Sequence, residues 1–104
     1  MHARIAKYEF SGDAQELAQK AEEGMLPIFQ SQPGFKAYSL VATDEKLISF
    51  SAWDSADSAD AANAAAAEWV ADNMADRIEL KNVTYGEVIL STTLGVSTKV
   101  GATL

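Results

Sequence analysis

The chain has no cysteine in 104 residues, which excludes disulfide bonds, thiolate nucleophiles and zinc–thiolate sites together. It has a single histidine, His2, at its very start, so a Ser/His/Asp nucleophile system has no candidate base. Basic side chains are few, eight against fifteen acidic ones for a net charge of −7. They are also scattered: Arg4, Lys7, Lys20, Lys36, Lys46, Arg77, Lys81 and Lys99 form no cluster. Nucleic acid is therefore not an expected partner, because phosphate neutralisation needs grouped cations. No apolar run approaches the ~20 residues of a membrane helix, so a membrane is not expected either. Met1-His2-Ala3-Arg4 lacks the apolar segment of a secretory signal, and cytoplasmic residence is the expectation. The six glycines are isolated, with no phosphate-binding loop, and the acids show no metal-ligand spacing.

What remains is an ordinary globular composition, 48% hydrophobic and 22% charged. Arg4 to Phe10 alternates as a first strand, with Ile5 on one face and Ala6, Tyr8 and Phe10 on the other. Asp13 followed by Glu16 has the form of a capping box, and Leu17, Ala21, Met25 and Ile28 recur at helical spacing. Gly24 and Pro27 predict a kink or break in that first helix. After the turn at Pro33-Gly34, Phe35 to Ala42 reads as a second strand, with Tyr38 and Leu40 on one face and Phe35, Ala37 and Val41 on the other. A hairpin at Thr43 to Lys46 returns into a third strand, Leu47 to Trp53. Asp54, Ser55 and Asp57 compete to cap a second helix over about 56–74. A fourth strand spans about Glu79 to Ser91, and residues 92–104 form a tail that is either an arm or a frayed end.

The order βαββαβ predicts one α+β domain over residues 1–91. Its expected architecture is a ferredoxin-like, four-stranded antiparallel sheet with strands one and three central and both helices on one side. Strands two to four carry apolar residues on both faces, so the open face needs a cover. A second copy, giving a face-to-face homodimer, is the simplest one.

Pro33-Gly34-Phe35, the polar turn at Asp44, Ile48-Ser49-Phe50-Ser51-Ala52-Trp53-Asp54-Ser55 and Tyr85-Gly86-Glu87-Val88 resemble the antibiotic-biosynthesis-monooxygenase-like family of dimeric α/β barrels. The resemblance covers about residues 3–91. It implies the same barrel and, among other activities, oxygenases that use neither flavin nor metal; fold alone narrows function loosely. Haem-degrading members carry a helix-two His about nine residues after the strand-three Trp. Here that region reads Asp60-Ala61-Ala62-Asn63, and strand one reads Ala6-Lys7-Tyr8 where those enzymes use Asn. No haem, metal or other cofactor is therefore expected.

The second helix has a stripe of Ala59, Ala62, Ala66, Trp69 and Asn73 on one face. One reading is a pocket in which Trp69 packs a planar substrate and Asn73 holds its oxygen as an enolate-like anion. The other is close packing, with Trp69 in the core and Asn73 as a C-cap. Asn63 is the second catalytic candidate, although six residues turn it about 120° from Trp69; its alternative is a solvent-facing or sheet-edge amide. Trp53 reads as structural. Arg4, Tyr8 and Tyr38 are candidate substrate-binding groups, able to hold a carboxylate or phenolate. Tyr85 belongs with them, and Glu87 is either a salt-bridge partner or a base with a raised pKa. Two functions fit. One is a cofactor-independent monooxygenase acting on a small aromatic or quinol-type molecule. The other is a non-catalytic dimeric module that binds a small apolar ligand or only itself.

Overall fold

The computed structural model describes residues 1–98 and shows β1 (His2–Phe10), α1 (Ala14–Ser31), β2 (Phe35–Ala42), β3 (Lys46–Trp53), α2 (Ala56–Asn73) and β4 (Ile78–Glu87). All neighbouring strands are antiparallel, in the order β2-β3-β1-β4. This is the ferredoxin-like α+β arrangement, with β1 and β3 central. His2 begins the first strand instead of preceding it.

Each helix starts where a side-chain oxygen replaces a missing intrahelical acceptor. The Asp13 carboxylate accepts from the Gln15 amide, and Ser55, of the three candidates, caps α2 by accepting from the Ser58 amide. Glu16 does not complete a capping box; its carboxylate meets Arg77 at 3.4 Å. The expected break in α1 does not occur. The helix runs unbroken through Pro27 and buries Leu17, Ala21, Met25 and Phe29 at steps of four, with Phe29 taking the place expected of Ile28. That stripe fixes the helix on the sheet, and its packing outweighs one lost backbone bond.

Gly24 has a positive reason to lack a side chain. A Cβ there would lie 2.6 Å from Nε1 of Trp69, whose indole packs directly on the α1 backbone. Gly34 is similar: it sits at φ +84°, its carbonyl accepts from the Asp54 amide, and a Cβ would meet the Asp54 carboxylate. Pro33-Gly34-Phe35 and Trp53-Asp54-Ser55 are thereby joined across the β2–β3 edge, where Phe35 pairs with Trp53.

Two strands depart from simple alternation. A register shift between Phe35 and Ala37 brings Phe35 to the helix side, where it meets Trp53 edge-on at 5.5 Å, not to the face of Ala37 and Val41. In β4, Tyr8 pairs with Leu80 but Lys7 with Asn82, so Lys81 is the extra residue of a bulge. Ile78 and Leu80 consequently share the helix side with Val83 and Tyr85. The fourth strand stops at Glu87, not Ser91, because its partner strand begins at His2. The Val88 amide makes one further bond, to the Met1 carbonyl.

Beyond it the chain turns back, with Ser91 and Val96 exchanging backbone hydrogen bonds of 2.9 and 3.0 Å. Val88 to Ser91 and Leu94 line a groove of about 380 Å³ with Ala3, Ile5, Ala37, Ser39 and Phe50, so the chain's own segment partly overlies the open face. The remainder of the expected tail, 99–104, lies outside the described residues. Among those described, no helix is long and apolar enough to cross a membrane.

Candidate functional site

The register builds the site. On the helix side of the sheet, Tyr38, Ser51, Arg4 and Tyr85 form one row across β2, β3, β1 and β4, and Leu40, Ser49, Ala6 and Val83 form the next. Arg4 sits near the middle of the sheet and is only 2% exposed. A guanidinium in that position must be hydrogen-bonded, because burial strips its water. Helix α2 supplies the partner: Arg4 Nε donates to Asn63 Oδ1 at 2.8 Å. The helix comes close enough because Ala59, Ala62 and Ala66 are buried beneath it with almost no side-chain bulk. Asn63 is thus neither a solvent-facing nor a sheet-edge amide.

Beside Arg4, a narrow cavity lies between the sheet and both helices. Its polar lining comes from Arg4, Tyr8, Tyr38 and Ser49; Trp69, Met25, Met74 and Phe29 are among its apolar walls. Its volume is about 30 Å³, room for a water or two, whereas an apolar cavity that takes up benzene is on the order of 150 Å³. The alanine stripe therefore divides. Ala59 and Ala62 pack tightly in the core with Trp53 and Phe29, and Ala66 alone of the three lines the cavity. Trp69 is half-buried and forms one wall.

Burial, and next the neighbouring Tyr8, push the Tyr38 phenol up to about 12, while a Ser49 hydrogen bond and the Arg4 charge pull the other way. Tyr38 is therefore a hydrogen-bond donor at neutral pH, not a base. Its ring packs edge-on against Phe29 at 5.0 Å, which fixes its position. Trp53 is wholly buried, donates to Ser51 Oγ at 2.9 Å and stacks edge-on with Phe29, as a structural residue does.

The structure brings Arg4, Tyr8, Tyr38 and Trp69 to one cavity and ties Asn63 to it through Arg4. It does not bring Asn73 there. Asn73 is exposed at the end of α2, and its amide donates back to the Trp69 carbonyl at 2.9 Å, within the last turn. Glu87 is exposed with no ion pair among the described residues, and Tyr85 is 42% exposed at the sheet edge. Ser49 was not singled out from the sequence. Its signal was the alternation of Leu47, Ser49, Ser51 and Trp53 along one face of β3.

No protein-family profile matches the chain, and no curated protein matches it in sequence. Solved structures do match. SnoaB, a cofactor-independent oxygenase from Streptomyces nogalater, superposes with a TM-score of 0.68 at 15% identity over 86% of this chain and 94% of that one. The fold is that of the antibiotic-biosynthesis-monooxygenase-like proteins. A Chloroflexus aurantiacus protein that carries that assignment by name only aligns with a TM-score of 0.66 at 19% identity, covering 90% of this chain and 98% of its own. A Nitrosomonas europaea protein of unknown function shares the fold with a TM-score of 0.68 at 20% identity, over 86% and 90% of the two chains. The monooxygenase-like fold thus occurs both with an oxygenase activity and with none assigned.

Proposed function

We propose that the protein is a cofactor-independent monooxygenase acting on a small aromatic or quinol-type molecule held in the sheet–helix cavity, as a homodimer. One observation carries this reading. Arg4, buried and held by Asn63, borders a cavity that has an indole as one wall, in the fold shared with a cofactor-independent oxygenase. Deprotonated substrate carbon adds dioxygen to give a hydroperoxide, taking up one proton; loss of water then leaves a carbonyl, with one oxygen atom in the product and one in water. Trp69 orients the ring, and Arg4, held through Nε by Asn63, faces the oxygen on which the carbanion's charge is delocalised. No carboxylate or histidine lines the cavity, so the substrate reaches it already ionised or ionises as it binds.

Admission of a ring requires the cavity to widen. Trp69 is partly exposed, and Met25 and Met74 are unbranched and adaptable. The test is oxygen uptake with a panel of small quinols and enolisable aromatic ketones. Turnover should fall at least about tenfold in Trp69→Ala and in Asn63→Ala, which loses the group that holds Arg4 in place. A panel that consumes no oxygen above background would sink the proposal. The mainly apolar lining and small volume favour a second reading, a non-catalytic dimeric module that takes a small apolar ligand. In that case binding would be measurable without oxygen uptake.

A further inference from the structure

Arg4 poses an electrostatic question that the fold does not answer. All fifteen acidic side chains lie within the described residues, yet none pairs with it. The four ion pairs described use Lys46, Arg77 and Lys81, whose contacts are at the surface. What faces Arg4 is neutral: the Asn63 amide from α2, Tyr38, Ser51 and Tyr85 from its own row of the sheet, and Ser49 and Tyr8 along the cavity. Tyr38 cannot serve as a phenolate counter-ion, since burial keeps its proton in place through neutral pH. A positive charge that is 2% exposed thus borders a cavity with apolar walls. Burying a cation is unfavourable unless an opposite charge or good hydrogen bonds offset it, and the side-chain bond from Asn63 holds Arg4 at Nε.

We propose that the cavity selects a planar oxyanion, a phenolate, enolate or aryl carboxylate, whose charged oxygen meets the Arg4 guanidinium while its ring lies toward Trp69. This rests on reading the cavity as the ligand site. Asn63 is then the positioning residue: it holds Nε and so turns the other two nitrogens of the planar fork toward the ligand. The fork suits a phenolate or carboxylate oxygen in its plane, and the phenols of Tyr8 and Tyr38 are donors to the same atom.

The test uses para-nitrophenol, whose ionised form absorbs in the visible, bound to the intact protein. The bound probe should ionise at a pH at least about one unit below the free phenol, a tenfold preference for the anion. Arg4→Gln should abolish that shift. Asn63→Asp places a carboxylate against Arg4 from within and should also abolish it, with circular dichroism reporting an intact fold. The proposal is overturned if wild-type protein shows no saturable binding, if the bound probe ionises at its free pH, or if Asn63→Asp retains the shift. Probe binding involves no oxygen, so the two readings fail separately. A shifted probe without oxygen uptake on any quinol removes the oxygenase and keeps the anion site. Oxygen uptake that survives Arg4→Gln, with an unshifted probe, does the reverse.

Discussion

Arg4 was legible as a residue on the face of Ala6, Tyr8 and Phe10, because alternation along β1 places even positions together. Its central role was not, since that depends on which helix residue meets it, and Asn63 came into reach only through the close approach of an alanine-lined helix. Asn63→Ala should lower stability by about 1–3 kcal/mol, the cost of leaving a buried donor unsatisfied, measured by urea denaturation. Gly24 makes the opposite point about reading one residue at a time. From the sequence it is a helix weakener, whereas in the structure it admits the Trp69 indole. Gly24→Ala should therefore destabilise the protein, yet stabilise a Trp69→Ala background by about 1 kcal/mol, the ordinary helix preference. Equal effects in both backgrounds would disprove the contact.

Tyr38 gives a pH prediction at the same scale. Burial raises its folded-state ionisation to about 12 from the ordinary 10.0. The unfolded chain thus loses this proton first. The contribution of Tyr38 to stability is complete below pH 10 and declines as pH rises from there toward 12. Ultraviolet titration should show a late tyrosine step that vanishes in Tyr38→Phe.

For the elements, order and type followed from hydrophobic periodicity and turn residues, and strand order followed from handedness. The misreadings share one physical origin. A bulge puts two residues opposite one, and nothing in an alternating pattern announces it, so Phe35 was assigned to the wrong face and the place of Ile78 on the helix side was missed. Pro27 misled for a different reason: local propensity opposed the helix while tertiary burial of four side chains held it together. Capping is the cheapest test of local reasoning here. Ser55→Ala should cost about 1 kcal/mol, because the α2 N-terminus loses the acceptor for the Ser58 amide, whereas Asp57→Ala should not cost that much. Chemical denaturation of the two variants distinguishes them.

On the scale of the whole molecule, the proposed homodimer buries the face carrying Ile5, Ile48 and Phe50. Phe50→Asp should convert a dimeric mass to a monomeric one in analytical ultracentrifugation. A monomeric mass for the unaltered chain at micromolar concentration would count against the dimer itself. The segment after β4 gives that association an unusual character. It already leans over the groove at Ala3, Ile5 and Phe50, and it is joined directly to the strand beside them. A tethered cover competes at an effective concentration on the order of millimolar, so a second copy meets a face that is already partly covered. Pairing then becomes an exchange, in which one chain's own flap is traded for its partner's sheet. A chain ending at Glu87 should assemble faster and at lower concentration than the full one.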